Sequence, residues 1–379
     1  MLVPPSFANC SKVLTFCAGN RSEFARAVTL ISGQVSFDAN VSVSVFETNI
    51  RVLGGLLSAH ELASDHALAL MPEYSGALLT LAEDLGTRLL PAFDTPTGIP
   101  FGTVNLRSGV AEGETTVSSA ACAGTLLLEF GSLSRLTGDA RYERAAKRAL
   151  LALWARRSRL GLVGAHIDIG SGEWTHRDAG VGTSVDSYFE YLLKAHALFG
   201  DPEYLMMFFQ AYSAAKTHLA RPPWYVDVNM DSGSLVWPIF NALQAFWPAL
   251  EVLAGNVRDA RATHAAFYGV WRRYGLTPEG FNLAEGRVQD GQRGYPLRPE
   301  LVESTLYLAR ATGDPHFLDV GRDMLASLER TRVPCGHAVI GDVESMAPRD
   351  QMDSFFLAET VKYLYLLFSP GHCASPLRP

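Results

Sequence analysis

The chain has 379 residues and a formal net charge of −7, and 48% of its residues are apolar while 19% are charged. This composition supports a large buried core and excludes an intrinsically disordered chain. The acidic balance, without a basic stripe or a phosphate-binding loop, gives no reason to expect nucleic acid or anionic lipid as a partner. No apolar run reaches the roughly 18–20 residues that cross a bilayer.

Residues 1–18 form an atypical N-terminal segment. They are only weakly apolar and lack the basic start and apolar stretch of a secretory signal. Three N-x-S/T sequons lie in this part of the chain, at Asn9, Asn20 and Asn40, and such sites are used only in a secretory compartment. At most one or two disulfide bridges are expected from the five widely spaced cysteines: Cys10, Cys17, Cys122, Cys335 and Cys373.

Helical periodicity dominates residues 19–368, which we expect to form one domain. Pairs of apolar helical stretches are joined by glycine-containing turns, and this arrangement recurs along the chain. The turn glycines are Gly138, Gly200, Gly255 and Gly313, so successive turns are 62, 55 and 58 residues apart. A nearly constant period predicts a stack of helix pairs that cover one another's apolar faces. From this pattern the stack is either an open solenoid or a closed toroid.

Short stretches between the helix pairs do not show helical periodicity. Their glycines and alternating apolar residues predict β-hairpins, in residues 98–105, 161–168 and 335–340. Because they recur between pairs, we expect them on one rim of the helical body. Long ordered loops on one face are where a pocket is usually built.

Acidic residues recur at the starts of predicted helices. Glu47 follows a short alternating strand, Asp186 opens a well-marked helix, and Glu300 follows a proline suited to the first helical turn. Glu279 is predicted to begin another helix, while Glu359 lies inside the last one.

Two interpretations of these acids remain open from the residues alone. Acids favour helix N-termini because free N–H groups and the helix dipole stabilise them. In that view Ser44 and Glu47 form a capping box, and Glu47 and Arg51 an ordinary i,i+4 ion pair. Alternatively, the acids lie in aromatic, apolar sequence beside Arg51 and Arg298, and a closed ring would point them at one centre. Glycosidic hydrolysis needs that arrangement: an acid, a base and an aromatic surface for the sugar.

Four stretches resemble the signatures of class I α-mannosidases (glycoside hydrolase family 47), and they are most similar to the ER degradation-enhancing α-mannosidase-like branch. They are SVFETNIRVLGGLLSAH (44–60), DSYFEYLLK (186–194), LRPELVES (297–304) and DSFFLAETVKYLYLLF (353–368). The resemblance runs in order from about residue 19 to residue 368. It implies an all-α fold, an (α/α)7 toroid of helix pairs with short β-hairpins on one rim.

The resemblance also implies hydrolysis of α-1,2-linked mannose with inversion, aided by Ca²⁺. By position, Glu47 is implied to be the general acid, working through a water, and Glu300 the general base. Asp186 is the competing candidate for the base, and Glu279 a further carboxylate of the pocket. A helix N-terminus should keep Glu300 ionised, as a base requires. Substrate-binding or supporting positions are implied for Arg51, Arg298, Glu303, Phe356 and Glu359.

High-mannose N-glycans on misfolded glycoproteins are the implied substrates, ER oxidoreductases or chaperones the implied partners, and the ER lumen the implied location. The family pattern also includes an opening barrel helix and a C-terminal threonine that binds calcium. Neither motif is found in residues 1–18 or in the tail, residues 369–379. We therefore expect a barrel incomplete at both ends, without a direct protein ligand for calcium. The alternatives are a glycan- or client-binding protein without turnover and a truncated inactive product.

Overall fold

The computed structural model describes residues 20–369. Helices provide most of its regular structure. Helix α2 is continuous but built from three segments, Val45–Glu47, the π-helical Thr48–Leu53 and Gly54–Ser64, and α13 combines the π-helical Phe356–Val361 with Lys362–Phe368. The other helices are α1 (Arg21–Gln34), α3 (Ala77–Leu89), α4 (Ala120–Gly124), α5 (Leu127–Thr137), α6 (Arg141–Trp154), α7 (Asp186–Phe199), α8 (Pro202–His218), α9 (Trp247–Leu253), α10 (Val257–Tyr274), α11 (Glu300–Thr312) and α12 (His316–Glu329).

The helices form a double ring. Consecutive helices pack as hairpins, and the first helix of one hairpin also packs on the first helix of the next, as α2 does on α5 and α11 on α13. Within residues 20–369, six helices therefore line the inside (α2, α5, α7, α9, α11 and α13), six cover the outside (α1, α3, α6, α8, α10 and α12), and the short α4 precedes α5. Arg51 on α2 lies 3.9 Å from Glu359 on α13, which brings the first and last of these inner helices together. This contact favours the closed toroid over the open solenoid.

The predicted turn glycines take the conformation that a helical hairpin needs. Gly138, Gly200 and Gly313 end α5, α7 and α11 with φ of 79°, 75° and 64°, and Gly255 has φ of 84°. This left-handed region is strained for residues with a Cβ and is the usual C-terminal cap of a helix. The apolar faces of both rings then pack in two large clusters, one including Phe130 and Trp247 and the other Phe267 and Trp271.

Seven small antiparallel sheets lie between the helices of the described part of the chain. Strands form in all three stretches predicted as hairpins, but several partners are distant in sequence: β1 pairs with β2, β3 with β4, and β11 with β12. The strands are β1 (Ser42–Ser44), β2 (Thr103–Asn105), β3 (Val117–Ser119), β4 (His166–Asp168), β5 (Trp174–His176), β6 (Asp178–Ala179), β7 (Ala220–Arg221), β8 (Trp224–Tyr225), β9 (Asp227–Asn229), β10 (Leu235–Trp237), β11 (Ile239–Asn241), β12 (Gly280–Asn282), β13 (Arg287–Val288), β14 (Arg332–Val333), β15 (Gly336–His337), β16 (Val339–Asp342) and β17 (Ala347–Arg349).

One predicted helix start is wrong. Glu279 precedes strand β12 instead of opening a helix. Its backbone N–H donates to the carbonyl of Gly294 at 2.8 Å, and its own carbonyl accepts from the N–H of Ala242 at 3.0 Å. These bonds to two separate loops hold the backbone extended, so its N–H and C=O serve sheet-like pairing.

Some sequence predictions fall at or beyond the ends of the described residues. Residues 1–18 lie outside the described residues, and so does the tail 369–379 except for Ser369. Asn9 and three of the cysteines (Cys10, Cys17 and Cys373) lie outside as well. Asn20 and Asn40 are exposed, and the two described cysteines, Cys122 and Cys335, are both free thiols. No helix between residues 20 and 369 is long and apolar enough to span a bilayer.

Candidate active site

Three of the predicted acids begin inner helices and therefore share one end of the ring. Glu47 lies in the first turn of α2, where the Ser44 hydroxyl accepts a hydrogen bond from its backbone N–H at 3.2 Å. Asp186 is the first residue of α7, and Glu300 the first of α11. The capping role predicted for Ser44 is thus present, and it leaves the Glu47 carboxylate available for Arg51.

Arg298 is the cation nearest to three of the acids, Glu279, Glu300 and Asp186. It donates from Nε and Nη2 to the two carboxylate oxygens of Glu279, at 2.6 and 2.7 Å. This two-pronged geometry is the strongest form of a side-chain ion pair. The charges of Glu300, Glu279 and Asp186 all act on Arg298 and raise the pKa of its guanidinium, against the effect of burial. Arg298 therefore links Glu279, Asp186 and Glu300, which come from three separate stretches of chain.

Desolvation acts on the pKa of both Glu300 and Asp186. Desolvation raises the pKa of Glu300 well above its ordinary value, although Arg298 and a backbone N–H oppose it. Desolvation likewise raises the pKa of Asp186 to about 6. Burial and the nearby charges of Glu303 and Glu359 therefore act against the expected stabilisation of an ionised Glu300 by the helix N-terminus. Oε2 of Glu300 is buried and has no hydrogen-bond partner among the described residues.

Arg51 connects Glu47 to the far side of the ring. Its Nε donates to Oε2 of Glu47 at 2.5 Å, and its Nη1 lies 3.9 Å from Oε1 of Glu359. The guanidinium also lies over the ring of Phe355, 5.3 Å from its centroid. The two ends of the ring meet at Arg51. Glu47 and Glu359 therefore lie at the rim of the same cavity.

The sequence analysis named Phe356 as the aromatic residue of this site. In the structure the aromatic residue at Arg51 is its neighbour, Phe355. Phe356 is 3% exposed and packs against the ring of His337, with 4.8 Å between centroids. A ring covered on this scale has no face to offer a sugar. Phe355 is only partly buried and contacts Arg51. The mistake is one residue along a helix, which turns the side chain by roughly 100°.

A second group of charges lies further along the inner helices. Nζ of Lys194 is 2.8 Å from Glu190 and 4.0 Å from Glu303. Burial raises the pKa of Glu303 to about 8, with Lys194 opposing it, and also raises the pKa of Glu359. Lys194 thus acts electrostatically on both Glu303 and Glu359, which were predicted as supporting residues.

Glu129 was not singled out from the sequence. It is buried on α5, accepts from the Asn49 side chain at 2.8 Å and from the Tyr191 hydroxyl at 2.7 Å, and its burial raises its pKa to about 7. The sequence did contain a signal, because Glu129 lies within the apolar stretch Leu126–Phe130. An acid in such a stretch is predicted to be buried, and a buried acid requires hydrogen-bond partners. Lys194 gave a similar signal, being four residues after Glu190 on one helix.

Left-handed backbone precedes two of the acids. Of the described residues, only four other than glycine have positive φ, and Ser184 (72°) and Leu297 (63°) are among them. These residues stand shortly before Asp186 and Glu300. Such strain concentrates at functional sites, where the surrounding structure must hold it. A buried hydrogen bond from Thr360 to the Leu297 carbonyl, at 2.8 Å, connects that loop to α13.

Comparison with known proteins identifies the family. The model of "Glycosyl hydrolase family 47" matches residues 14–377. The chain belongs to this family. Among solved structures, an α-1,2-mannosidase from Trichoderma reesei superposes with a TM-score of 0.85 at 26% identity, covering 96% of this chain and 84% of the other. The fold is accordingly the (α/α)7 barrel of glycosyl hydrolase family 47, as predicted.

Curated relatives are longer than this member of family 47. Alpha-mannosidase I MNS4 of Arabidopsis thaliana is 60% identical over 352 residues, which cover 92% of this chain and 56% of the relative. "ER degradation-enhancing alpha-mannosidase-like protein 2" of Mus musculus is 48% identical, over 93% of this chain and 62% of the relative. The chain thus spans less than two thirds of the length of these relatives.

The family resemblance implies calcium, but residues 20–369 contain no recognisable cluster of side-chain ligands for it. Residues 20–369 contain no group of three or more His, Cys, Asp or Glu placed to hold a metal ion. The site carboxylates contact cations of the protein instead: Glu279 contacts Arg298, and Glu47 contacts Arg51. Ca²⁺ prefers six to eight oxygen ligands. The described side chains do not fit such a site by themselves.

Proposed function

We propose that this chain is an inverting mannosidase that removes α-1,2-linked mannose from high-mannose N-glycans. Its site in the cell would be the ER lumen, and its substrates the glycans of misfolded glycoproteins marked for degradation. The observation that carries the proposal is the meeting of Asp186, Glu279 and Glu300 at Arg298, with Glu47 and Glu359 meeting at Arg51. The family, and the mannosidase names of the relatives, support the same reaction.

In this proposal the acids at Arg51 and the acids at Arg298 have different roles in the reaction. Glu47, with Arg51 beside it, acts as the general acid and protonates the departing oxygen through a water. Glu300 acts as the base that removes a proton from the attacking water, and its unpartnered Oε2 is the atom suited to accept it. Inversion needs the acid and the base on opposite faces of the sugar with room for that water, roughly 6.5–9.5 Å between carboxyls.

Asp186 is the second candidate for the base. With a pKa of about 6 its carboxyl is largely ionised at pH 7, whereas the pKa of Glu300 is raised further by its burial. Both carboxyls act on the same guanidinium, so protonation of one favours ionisation of the other. We assign the base to Glu300 because the Asp186 carboxylate already accepts from the backbone N–H of Ser187, at 2.9 Å.

Glycan trimming by the purified chain tests the proposal. The protein is incubated with a high-mannose N-glycan, and the products are followed by mass spectrometry alongside Glu300→Gln. We expect stepwise loss of single hexoses with the wild type and a rate at least about 100-fold lower with the variant, in line with the contribution of a general base. Binding of the glycan without any hexose loss would support the alternative of a binding protein, and absence of both would support an inactive product.

A further inference from the structure

Two of the inner helices contain a π-helical turn where the ends of the ring meet. The turn covers Thr48–Leu53 in α2 and Phe356–Val361 in α13. Arg51 and Glu359, the residues that bring these two helices together, each lie within such a turn. Because π-helical turns are rare and are frequently found at functional sites, their other side chains are candidates for a role in the site.

Thr360, in the turn of α13, uses its hydroxyl differently from the other helical threonines. It is fully buried, and the hydroxyl donates to the carbonyl of Leu297 at 2.8 Å, outside its own helix. A helical threonine can instead bond to the carbonyl four residues earlier. Five threonines do so here: Thr29, Thr137, Thr217, Thr305 and Thr312. Thr360 therefore joins α13 to the loop before α11.

The loop that Thr360 contacts is buried and strained at Leu297. This residue is fully buried and has φ of 63°, in the left-handed region that side chains other than glycine rarely adopt. Within residues 20–369, the Thr360 hydroxyl is the one hydrogen-bond donor that reaches the Leu297 carbonyl. Buried carbonyls are nearly always paired, and strained backbone persists only where its surroundings hold it. Removing the hydroxyl therefore takes away a bond at the strained residue itself.

The residues that follow Leu297 belong to the candidate active site. Arg298 comes next, and Glu300 opens α11. On the other side of Leu297, the Tyr295 N–H donates to the Ile340 carbonyl at 2.7 Å, and the Tyr295 hydroxyl donates to the Arg298 carbonyl at 3.1 Å. Because Tyr295 and α11 fix both ends of this short loop, the conformation at Leu297 determines where Arg298 and Glu300 stand.

The π-helical turn of α2 makes a corresponding contact. Asn49 donates from Nδ2 to the carbonyl of Thr125, in the segment before α5, at 3.3 Å. The Thr125 hydroxyl in turn lies 2.7 Å from the hydroxyl of Ser187, the neighbour of Asp186. In both helices, one turn therefore contains a charged residue that joins α2 to α13 and a polar residue that bonds to the backbone before another inner helix. This recurrence supports a positioning role for the polar residue.

We propose that Thr360 is a positioning residue, whose hydrogen bond holds Leu297 in its left-handed conformation and so places Arg298 and Glu300. The chemical role of Glu300 in this inference rests on the proposed function. Because Thr360 is fully buried, its effect is transmitted through the loop and not by contact with a sugar. Loss of the hydroxyl should therefore slow the chemical step more than it weakens binding.

Hydrogen exchange and kinetics of Thr360 variants test this role together. Thr360→Val keeps the size of the side chain and removes the donor, whereas Thr360→Ser keeps the donor. We expect amide exchange in residues 297–303 to be at least about tenfold faster in Thr360→Val and near wild type in Thr360→Ser. With α-1,2-mannobiose, Thr360→Val should lower kcat about tenfold or more and change KM less than about threefold. Thr360→Ser should recover kcat to within about threefold of wild type.

Two further variants complete the experiment. Thr312→Val is the matched control, because the hydroxyl of this half-buried last residue of α11 bonds to its own helix, at the end away from Glu300. It should leave kcat and the exchange of residues 297–303 unchanged. Thr360→Cys has a weaker donor of similar size, so its exchange and kcat should lie between those of Thr360→Ser and Thr360→Val. It provides the same test if Thr360→Val does not fold.

The outcomes separate the positioning role from the reaction. Wild-type exchange in Thr360→Val and Thr360→Cys, or an equal fall in kcat for Thr312→Val, would overturn the positioning role. A rise in KM with kcat unchanged would also overturn it. If the wild type releases no mannose, faster exchange in Thr360→Val that Thr360→Ser restores would uphold the positioning of Arg298 and Glu300 and reject the hydrolase alone.

Discussion

Arg298 donates two hydrogen bonds to Glu279, at 2.6 and 2.7 Å, and this pair joins the loop before β12 to the start of α11. Both side chains are partly buried, and the carboxyls of Asp186 and Glu300 act on the same guanidinium. Removing the cation leaves three acids close together in a poorly solvated place. Removing Glu279 alone leaves a cation that still has two acids beside it.

This asymmetry predicts the outcome of a double-mutant cycle. Arg298→Met should lower the free energy of unfolding by about 2–3 kcal/mol and Glu279→Gln by less, because hydrogen bonds to charged groups contribute about 1.5–3 kcal/mol. The double variant should be more stable than the sum of the two losses by at least about 1 kcal/mol. Urea unfolding at pH 7 measures all four proteins. Arg322→Met, which removes an exposed pair with Asp319, should change stability by less than about 0.5 kcal/mol. Strictly additive losses at Arg298 and Glu279 would contradict the coupling.

Arg51 predicts a local effect on ring closure. Its contacts with Glu47, Glu359 and Phe355 connect α2 to α13, so Arg51→Ala should speed amide hydrogen exchange in the first turns of both helices and lower stability by about 1–2 kcal/mol. Lysine lacks the planar group that makes these contacts, so Arg51→Lys should not restore protection. Arg26→Ala breaks an exposed i,i+3 pair and serves as the control. Unchanged exchange in α13 would show that Arg51 does not hold the ring together.

Buried acids predict that the ligand-free protein loses stability as the pH rises. Glu303 has a pKa of about 8 in the folded chain, above its unfolded value, so the folded state binds the proton more tightly. The associated stability is present below the unfolded pKa and is lost as the pH increases towards 8. Asp186 and Glu129, with pKa values of about 6 and 7, act in the same direction. The melting temperature should therefore fall between pH 5 and pH 8.

Glu303→Gln tests the source of this decline. The amide carries no proton equilibrium, so the melting temperature of the variant should depend less on pH over the same interval. Glu112→Gln changes an exposed glutamate and should retain the wild-type slope. A wild-type melting temperature that rises steadily from pH 5 to pH 8 would contradict the assignment of buried, protonated acids.

The choice between Glu300 and Asp186 as the base predicts a difference in chemical rescue. When a base is replaced by its amide, a small anion such as azide can attack in place of the activated water. We expect azide to restore sugar release by Glu300→Gln, giving a mannosyl azide, and not by Asp186→Asn. Chromatography of the products measures both. Rescue of Asp186→Asn alone would transfer the role of the base to Asp186.

The sequence was most informative where local chemistry decides the structure. A left-handed glycine is a common C-terminal cap of a helix, so Gly138, Gly200 and Gly313 marked the hairpins correctly. Capping preferences also placed Glu47, Asp186 and Glu300 at helix starts, which in a closed ring brings them to one end. Glu279 escaped this reasoning, because Thr-Pro-Glu suits a helix start as well as an extended loop. Long-range pairing of β11 with β12 decided between the two.

The parts of the site that depend on three-dimensional packing were not predictable. Glu129 looks like an interruption of an apolar helix until Asn49 and Tyr191 are placed beside it. The protonation of Glu300 depends on burial and on charges from α11 and α13, which a helix-dipole argument omits. Phe355 and Phe356 are neighbours in sequence, and only the orientation of α13 shows which of them contacts Arg51.

The central claim is that acids gathered at Arg51 and Arg298 hydrolyse an α-mannosidic bond with inversion. Time-resolved proton NMR of α-1,2-mannobiose with the wild-type chain measures this directly, with Glu300→Gln and Glu112→Gln in parallel. We predict that the first mannose released by wild type and by Glu112→Gln is the β-anomer, and that Glu300→Gln is slower by about two orders of magnitude or more. Initial release of the α-anomer, or equal rates for wild type and Glu300→Gln, would contradict it.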